Sequence, residues 1–427
     1  MIVAAALLLI AFAILGAPLF AVIAAGAMFS FYRADVDLSV MAIEIYRLAE
    51  MPVLVAIPLF TFAGYLLGES QAPRRLVRLT NALIGWMPGS LAVVALATCA
   101  MFTAFTGASG VTIIAMGALL YPALAQAGYR ENFNLGLITT SGSLGLLFAP
   151  SLPLILYGVI AQQLEVGRGV GIDELFLAGL LPGILMLALL GGYSLWTNRA
   201  IHQPIQDFSW REAGAAVRQA IWELPLPVIV LGGIYGGYLA VSEAAAITAI
   251  YVLVVETLVY REVGFRRLLH VMHESMVLVG GILIIVGVSL ASTNALIDAQ
   301  IPMRLFELMQ ERVSDPLTFL ILLNLFLLGL GMMLDIFSAL VIMVPLILPI
   351  AVGFGVDPVH LGIIFLANMQ VGYFTPPVGM NLFIASYRFK KPVAQVFRAT
   401  LPFFFILLAA VLIITYWPWL SLGLLGR

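Results

Sequence analysis

Apolar stretches long enough to cross a lipid bilayer recur along almost the whole chain. A helix needs about 20 apolar residues to span the hydrocarbon core. Stretches that reach or approach this length lie at 2–30, 52–68, 133–160, 175–196, 224–241, 243–260, 273–292, 360–386 and 399–422. Only 10% of the residues are charged, whereas a soluble domain carries about 25%. The excess apolar surface has to face lipid, so we predict an all-α polytopic membrane protein.

The same composition excludes several classes of function. A formal net charge of −2 gives no basic field for nucleic acid, and the single Cys99 excludes both disulfides and a cysteine-based metal site. The chain has no G-x-x-x-x-G-K-[ST] phosphate loop of the kind that a nucleotide-driven pump requires. We assign no catalytic constellation to the four histidines, and we therefore predict that the chain is not an enzyme.

Two apolar stretches each contain two short helical lengths joined by a polar kink. Segment 91–126 is interrupted at Thr106–Thr112, and segment 318–354 is interrupted at Met333–Ser338. Non-helical backbone at membrane depth is tolerated only where protein or a water-filled cavity surrounds it. We therefore predict that both stretches are re-entrant helical hairpins, which enter the membrane and leave it by the same side.

Two further spans carry breaks in the middle of the membrane. In 133–160 the break is Ser141–Gly145 followed by Phe148–Ser151, and in 360–386 it is Val371–Gly379. Proline removes a backbone donor and glycine loosens the turn. Each break therefore frees carbonyl and amide groups in mid-bilayer, although kinks that only help helices to pack would show the same residues.

Loop charge predicts which side of the membrane each segment faces. Segments 69–85, 261–272 and 388–398 are basic and are predicted to be cytoplasmic, whereas 161–174 and 299–315 are acidic and are predicted to be external. These assignments alternate correctly along the chain if the two hairpins do not cross. The same tally places the N-terminus in the cytoplasm.

An internal repeat relates the two halves of the chain at a constant offset of 227 residues. The matching pairs are Pro122 with Pro349, Gly128 with Gly355, Gly145 with Gly372 and Pro150 with Pro377. The segment before the first hairpin is basic and its counterpart is acidic, which predicts inverted repeats. We place repeat 1 at about 50–196 and repeat 2 at about 273–422, within a single transport domain spanning 1–427. Paired broken helices in inverted halves are typical of a transporter with a binding site at the membrane midplane.

The chemistry of such a site follows from the helix ends. Half-helix N-termini present free amides and a partial positive charge to an anion, and unwound carbonyls and hydroxyls supply the oxygen ligands that Na⁺ prefers. The predicted substrate-binding residues are Ser109, Gly110, Ser151, Thr375, Pro377 and Asn381. The predicted sodium-binding residues are Gly107, Ser109, Thr112, Ser141, Gly145, Asp335, Ser338, Gly372 and Thr375; Ser143 and Asn368 are further oxygen donors in the two breaks.

Two of these assignments have structural alternatives. An acid inside a membrane is costly and usually functional, but Asp335 could also act as the N-cap of the second helix of its hairpin. Ser109 and Thr112 could bond back to the carbonyls of their own helix rather than bind a ligand.

The chain resembles the large membrane subunit of tripartite ATP-independent periplasmic (TRAP) transporters over nearly its whole length. The stretches that carry the resemblance are Ile57–Gly64, Gly107–Tyr157, Pro227–Tyr235, Glu243–Ala246, Asp357–His360 and, most specifically, Thr375–Phe383. The chain departs from the family pattern in three places. Ala108 stands where a serine is common, Ala149 replaces the first proline of a Pro-Pro-Ser, and Asp335 precedes Ile-Phe rather than Pro-Thr.

The resemblance implies an elevator-type ion transporter architecture in the bacterial inner membrane, driven by a Na⁺ gradient. It also implies a small four-helix membrane subunit and a periplasmic substrate-binding protein as partners. The substrate would be a small organic acid anion, such as a C4-dicarboxylate, sialic acid or another sugar acid. The alternative is a stand-alone ion-coupled carboxylate transporter of related architecture that works without a binding protein.

Overall fold

The computed structural model describes residues 8–9, 11–12, 15–85, 90–164, 166–199, 209–311, 313 and 315–426. Every regular element in these ranges is helical, which confirms the predicted all-α class. Part of the first predicted span, 2–30, lies outside the described residues.

The helices of the first half follow one another with short connections. They are α1 (Leu19–Arg33), α2 (Ser39–Ala49), α3 (Ala56–Glu69), α4 (Ala72–Ile84), α5 (Ser90–Thr106), α6 (Ser109–Gln126), α7 (Glu131–Ser141), α8 (Leu152–Leu164), α9 (Ile172–Thr197) and α10 (Trp210–Gln219). Short 3₁₀ turns precede α3 at Pro52–Val55 and separate α7 from α8 at Leu144–Leu147.

The second half contains the remaining helices. They are α11 (Pro225–Tyr235), α12 (Val241–Val259), α13 (Phe265–Asp298), α14 (Ile301–Gln310), α15 (Pro316–Met333), α16 (Ile336–Gly353), α17 (Pro358–Gly372), α18 (Met380–Phe389), α19 (Val393–Tyr416) and α20 (Trp419–Leu422). Helices α11 and α12 each include one π-helical turn.

Eight helices in the described part of the chain are long and apolar enough to cross a membrane, which confirms the polytopic prediction. Two predicted spans are wrong in extent. The span predicted at 224–241 ends at Tyr235, because Gly236 and Gly237 follow and Gly237 has a φ of +70°. The span predicted at 399–422 ends at Tyr416, because Pro418 cannot donate the next helical hydrogen bond.

The two predicted hairpins are present as pairs of helices joined by two residues. Hairpin 1 comprises α5 and α6, joined by Gly107 and Ala108, and hairpin 2 comprises α15 and α16, joined by Leu334 and Asp335. In each hairpin the two helices contact each other. The ends of α5 and α15, and both ends of α6 and α16, differ by the predicted offset of 227 residues.

Contacts between distant segments agree with the predicted sidedness. Arg267 pairs with Glu69 at 2.7 Å, which joins two segments predicted to be cytoplasmic. Lys391, also in a segment predicted to be cytoplasmic, pairs with Glu131 just after hairpin 1. On the predicted external side, Gly353 at the end of hairpin 2 lines a cavity with Leu164. Each hairpin therefore returns to the side from which it starts.

Helix α13 separates these two groups of contacts. It has 34 residues and is about 51 Å long at 1.5 Å per residue. Arg267, near its start, contacts one group, and Ile297, near its end, lines the cavity that contains Gly353. Hairpin 1 and hairpin 2 therefore open toward opposite ends of α13, as inverted repeats require. The exact limits of the two repeats stay a prediction.

Three of the four halves of the two broken helices are largely buried. Broken helix 1 comprises α7 and α8, and broken helix 2 comprises α17 and α18. All 15 residues of α17 are buried, which is typical of a helix that is apolar on every side. Hairpin 1 packs against α7 and α18, while hairpin 2 packs against α17 and α8. Each hairpin is thus held by the first half of its own broken helix and the second half of the other.

Glycine allows the closest of these contacts. A Cβ atom on Gly145 would lie 2.2 Å from the carbonyl oxygen of Ala100, and one on Gly372 would lie 2.5 Å from the carbonyl carbon of Gly331. Gly145→Ala and Gly372→Ala are therefore each expected to lower the free energy of unfolding by about 1–3 kcal/mol through overpacking. The measurement is thermal melting of the purified protein in detergent.

The matched control is Gly192→Ala in α9, where a Cβ atom meets nothing within 4 Å. This variant is expected to melt at or slightly above the wild-type temperature, because alanine favours the helix over glycine. Wild-type melting of all three variants would show that the backbones at the breaks are not in close contact.

Candidate functional site

The tip of hairpin 1 is bonded to broken helix 2. The Ser109 hydroxyl donates to the Asn381 side-chain oxygen at 2.8 Å, and the Asn381 amide donates to the Thr139 carbonyl at 3.3 Å. Ser109 and Asn381 are both buried. A side chain of the second repeat therefore completes the hydrogen bonding at the first tip, although the sequence associated Asn381 with the second break.

A second set of hydroxyl groups joins hairpin 1 to the first break. The Thr112 and Thr103 hydroxyl oxygens lie 2.7 Å apart, and Thr103 also lies within hydrogen-bond distance of the Gly142 carbonyl, at 3.0 Å. Ser141, at the end of α7, donates to the Ile138 carbonyl at 3.2 Å. Thr112 is therefore linked through Thr103 to Gly142, the residue that follows Ser141.

The remaining predicted residues of this half pack around the same tip. Gly107 has a φ of +64° and lies against Leu152, the residue after Ser151, while Gly110 lies against Ile384 of α18. The Ser151 hydroxyl donates to the Leu146 carbonyl, across the break. Glycine at 107 and 110 therefore lets the tip approach both broken helices.

At the tip of hairpin 2, Asp335 caps helix α16. One oxygen of its carboxylate accepts from the backbone amides of Phe337 and Ser338, each at 3.0 Å, and the other bonds to the Ser338 hydroxyl. The N-cap alternative for Asp335 is therefore present in the structure. The backbone amide of Ile336 donates to the Tyr373 hydroxyl at 2.6 Å, which ties this tip to the second break.

The second break also bonds directly to the end of α15. The backbone amides of Val378 and Gly379 donate to the Met332 carbonyl at 3.2 and 3.0 Å. Thr375 is buried and donates its hydroxyl proton to the Val371 carbonyl at 2.7 Å. Pro377, in contrast, lies exposed between these bonded residues.

The structure thus divides the predicted residues between two centres. The first centre contains Gly107, Ser109, Gly110, Thr112, Ser141, Gly145, Ser151 and Asn381. The second contains Asp335, Ser338, Gly372, Thr375 and Pro377. The two breaks meet where the Ser143 hydroxyl donates to the Gln370 carbonyl at 3.3 Å. Ser143 and Gln370 are 227 residues apart, so the repeat relation brings equivalent positions into direct contact.

Polar atoms without a protein partner occur close to these centres. Among the described residues they include Thr106 Oγ1 at the end of α5, Thr140 Oγ1 beside the first break and both amide atoms of Gln370 beside the second. Buried polar groups in native proteins are generally hydrogen-bonded, so such atoms call for a water or ion. Asn368, by contrast, donates to Asn324 at 2.7 Å and retains an oxygen without a partner.

Helix N-termini set the electrostatics of the two centres. Helices α6 and α8 begin at the first centre and α16 begins at the second, whereas α18 begins between them, with Gly379 bonded to hairpin 2 and Asn381 bonded to the tip of hairpin 1. Each N-terminus carries roughly half a positive charge. No lysine or arginine lies within the tips or breaks, at 106–112, 141–151, 333–338 or 371–379, so these dipoles and the Asp335 carboxylate are the main charges there.

Sequence reasoning missed three residues that join these elements. Thr103 bridges hairpin 1 to the first break, Tyr373 bonds the tip of hairpin 2, and Gln370 meets Ser143. The repeat offset pairs Thr103 with Leu330 and Tyr373 with Leu146, so it gave no signal for either residue. Gln370 could have been found, because the same offset pairs it with Ser143.

Comparison with known proteins gives a family and a fold. Residues 3–420 match the family described as the tripartite ATP-independent periplasmic transporter, DctM component. A C4-dicarboxylate TRAP transporter large permease protein of Vibrio cholerae is 33% identical over 416 residues, covering 92% of this chain and 90% of that protein. An ectoine/5-hydroxyectoine TRAP transporter large permease protein of Ruegeria pomeroyi is 32% identical over 423 residues, covering 98% and 97%.

Among solved structures, the YdaH transporter of Alcanivorax borkumensis superimposes with a TM-score of 0.64. The two chains are 16% identical, and the match covers 90% of this chain and 88% of that one. This likeness concerns the fold alone. With its eight apolar helices and permease relatives, the protein is a multi-pass protein of the bacterial inner membrane. The chain belongs to the large permease family of the tripartite ATP-independent periplasmic transporters.

Proposed function

We propose that this permease takes up a small organic acid anion together with Na⁺, and that a periplasmic binding protein delivers the anion. The observation that carries the proposal is the pairing of two hairpin tips with two helix breaks inside the protein. This arrangement collects helix N-termini, carbonyls and hydroxyls where the sequence places almost no other charge.

The first centre suits an anion. Helix α6 begins after Ala108, and no side chain caps its N-terminus, so its first amides stay available to a carboxylate. Helix α8 begins nearby at Leu152, which adds a second N-terminal dipole. The Ser109 hydroxyl and the Asn381 amide lie at the same place and can donate to a carboxylate after rotating from their present bond.

The second centre suits a cation. Asp335 and Tyr373 already bond the first amides of α16, so these amides are not available to an anion. The Asp335 carboxylate also adds a negative charge. Thr375 gives its proton to a carbonyl, which leaves the hydroxyl lone pairs free to face a metal ion. Similar geometry at Ser141 supports a cation beside the first break.

Movement of the hairpins and broken helices as one block would carry both ligands across the membrane. Open space along part of the edge of this block supports the idea. A cavity of about 230 Å³ lies between α6 of hairpin 1 and helices α3 and α13 and is lined by Val111, Glu69 and His270, although α5 of the same hairpin packs closely against α3. A second cavity, of about 390 Å³, lies between α14, α13 and the end of hairpin 2. Sodium would couple to the anion by ordering the hairpin tips. The conformational entropy lost when the anion binds would then be smaller.

We propose the partners and the substrate class from the family to which the chain belongs. The small four-helix membrane subunit would complete the scaffold, and the binding protein would select the substrate. Relatives are named for substrates as different as C4-dicarboxylates and ectoine.

Reconstitution into lipid vesicles separates the tripartite carrier from a stand-alone transporter. Na⁺-driven uptake of a candidate anion only with both partners present would support the tripartite carrier, whereas equal uptake by the chain alone would favour a stand-alone transporter.

Sodium binding predicts a cation-specific rise in thermal stability. A ligand that binds only the native state at 100 times its Kd stabilises it by about 2.7 kcal/mol. The melting temperature should therefore rise with NaCl but not with KCl at matched ionic strength. Ser109→Ala and Thr375→Ala are expected to weaken the rise, because each removes a predicted oxygen ligand.

Ser275→Ala is the matched control. Ser275 is a buried serine on α13 that donates to the Val271 carbonyl at 2.7 Å, and it lies outside both centres. The control should keep the full sodium response. Identical melting curves in the two salts, for the chain and for the complex with its partners, would remove the sodium proposal.

Variants of Asp335 separate its capping role from its charge. Asp335→Asn is expected to keep the cap, since asparagine and aspartate cap equally well, whereas Asp335→Ala should cost about 0.5–2 kcal/mol of unfolding free energy without sodium. Both variants are expected to lose part of the sodium response. Melting in NaCl and KCl measures both effects.

Asp315→Ala provides a cap-only comparison, because Asp315 caps α15 at an exposed site by accepting from the Thr318 amide at 2.9 Å. It should lower the melting temperature without changing the sodium response. A full sodium response in Asp335→Asn would show that Asp335 acts only as a cap.

A further inference from the structure

Three carboxylates surround one buried arginine far from the two centres. The Arg75 side chain on α4 is 4% exposed. Its Nε donates to Glu223, its Nη1 donates to Glu262, and its Nη2 lies 3.3 Å from both oxygens of Glu256. The ring of Tyr260 stacks on the guanidinium at 3.9 Å. We call these five residues the Arg75 cluster.

The cluster joins four elements of the fold. Arg75 comes from α4, Glu223 from the turn before α11, Glu256 from the π-helical end of α12, and Tyr260 and Glu262 from the connection to α13. Helix α4 also packs on hairpin 1. The cluster therefore attaches the helix that leads into hairpin 1 to the rest of the protein.

The charges within the cluster do not balance. Glu223 is 3% exposed and Glu256 is 0% exposed, whereas Glu262 is 22% exposed and can keep its charge hydrated. Arg75 compensates only one of the two buried carboxylates. Among the other arginines on these elements, Arg78 pairs with Glu212 at 2.8 Å, Arg267 pairs with Glu69 at 2.7 Å and Arg261 donates to the Leu258 carbonyl at 3.3 Å, while Arg74 and Arg266 are exposed.

A buried carboxylate without a compensating charge takes up a proton rather than remain ionised. Glu223 holds the guanidinium through a close bond to Nε and has Tyr260 Oη within 3.2 Å. Glu262 holds Nη1 and accepts the Gln71 amide at 2.7 Å. Glu256 has the longer contacts to Nη2, a side-chain hydrogen bond with the neutral Ser70 and no exposure, so it is the carboxylate least able to stay charged.

We propose that Glu256 is a buried proton-binding site, and that its proton allows the Arg75 cluster to hold α4 in place. The protonated carboxyl can contact Arg75 through its carbonyl oxygen without adding a second negative charge beside Glu223. Loss of the proton would leave two buried carboxylates sharing the single positive charge of Arg75. None of the predicted substrate or sodium residues belongs to the cluster, so this proposal is independent of the transport mechanism.

Glu223, which lies outside the membrane-spanning helices, shows how burial acts on a carboxyl of this cluster. Burial raises the pKa of the Glu223 carboxyl above its ordinary value of 4.5, and Arg75 opposes that rise. A carboxyl with a raised folded-state pKa contributes its full stability below the unfolded value and loses it as the pH rises through the folded value. Stability that depends on the cluster is therefore lost on going from acid toward alkaline pH.

Infrared spectroscopy of the intact purified chain tests the proton directly. A protonated carboxyl has a carbonyl stretch that shifts in deuterium oxide and is absent from a carboxylate. At neutral pH the wild type is expected to show this band, and Glu256→Gln is expected to lose the intensity of about one carboxyl group. Glu212→Gln, at a 51% exposed carboxylate that pairs with Arg78, is the control and should leave the band unchanged.

Melting of the same variants provides a second readout. Glu256→Gln should have the wild-type melting temperature at neutral pH. At alkaline pH its melting temperature should fall less than that of the wild type, because glutamine resembles the protonated, neutral acid. A full band in Glu256→Gln, or a large loss of stability at neutral pH in a folded Glu256→Gln, would overturn the proposal. If Glu256→Gln does not fold, Glu223→Gln tests the same proposal. Without the Glu223 carboxylate, Glu256 should ionise beside Arg75, and the carbonyl band of the protonated carboxyl should disappear. Persistence of that band in Glu223→Gln would refute the assignment of the proton to Glu256.

Discussion

The backbone of the two helix breaks has to be satisfied inside the protein, because lipid offers neither donors nor acceptors. This requirement explains why α7, α8 and α17 of the broken helices are largely buried and why the hairpins lie against them. The backbone amides of Val378 and Gly379 donate to the Met332 carbonyl on hairpin 2. The Gly142 carbonyl accepts a hydrogen bond from the Thr103 hydroxyl on hairpin 1. Hairpins and breaks therefore stabilise each other, and neither would survive alone at membrane depth.

A repeated backbone carries different side chains in its two halves. The helices of the two hairpins end and begin at positions 227 residues apart, yet Ala108 occupies the cap position of α6 and Asp335 that of α16. The linker residues differ as well, because Gly107 has a φ of +64° and its counterpart Leu334 has one of −112°. The common backbone sets where helix ends meet, and these local differences set which charge each centre prefers.

Helix ends could be predicted from the sequence because local residues cause them. Clusters of glycine, proline and polar side chains at 106–112 and 371–379 interrupt a helix locally, whereas single prolines such as Pro122 and Pro345 remain inside helices, and the repeat offset identified the partners of these clusters. The bond between Ser109 and Asn381 joins residues 272 positions apart, and no local pattern signals it. Arg75 shows the same limit. Its charge was counted toward membrane sidedness, whereas the fold surrounds it with three carboxylates from distant segments.

The helices that lead into the two hairpins are themselves related by the offset, since α4 at 72–84 corresponds to 299–311, which contains α14. They are attached by different physical means. Arg75 fixes α4 through hydrogen bonds of defined direction, whereas Phe306 of α14 packs edge-on against Phe354 with ring centroids 5.4 Å apart. Charge-assisted hydrogen bonds weaken steeply when their geometry changes, but apolar contact is non-directional. Among the described residues, the helix that leads into hairpin 1 is therefore held by directional hydrogen bonds between charged groups, whereas the helix that leads into hairpin 2 is held by aromatic packing.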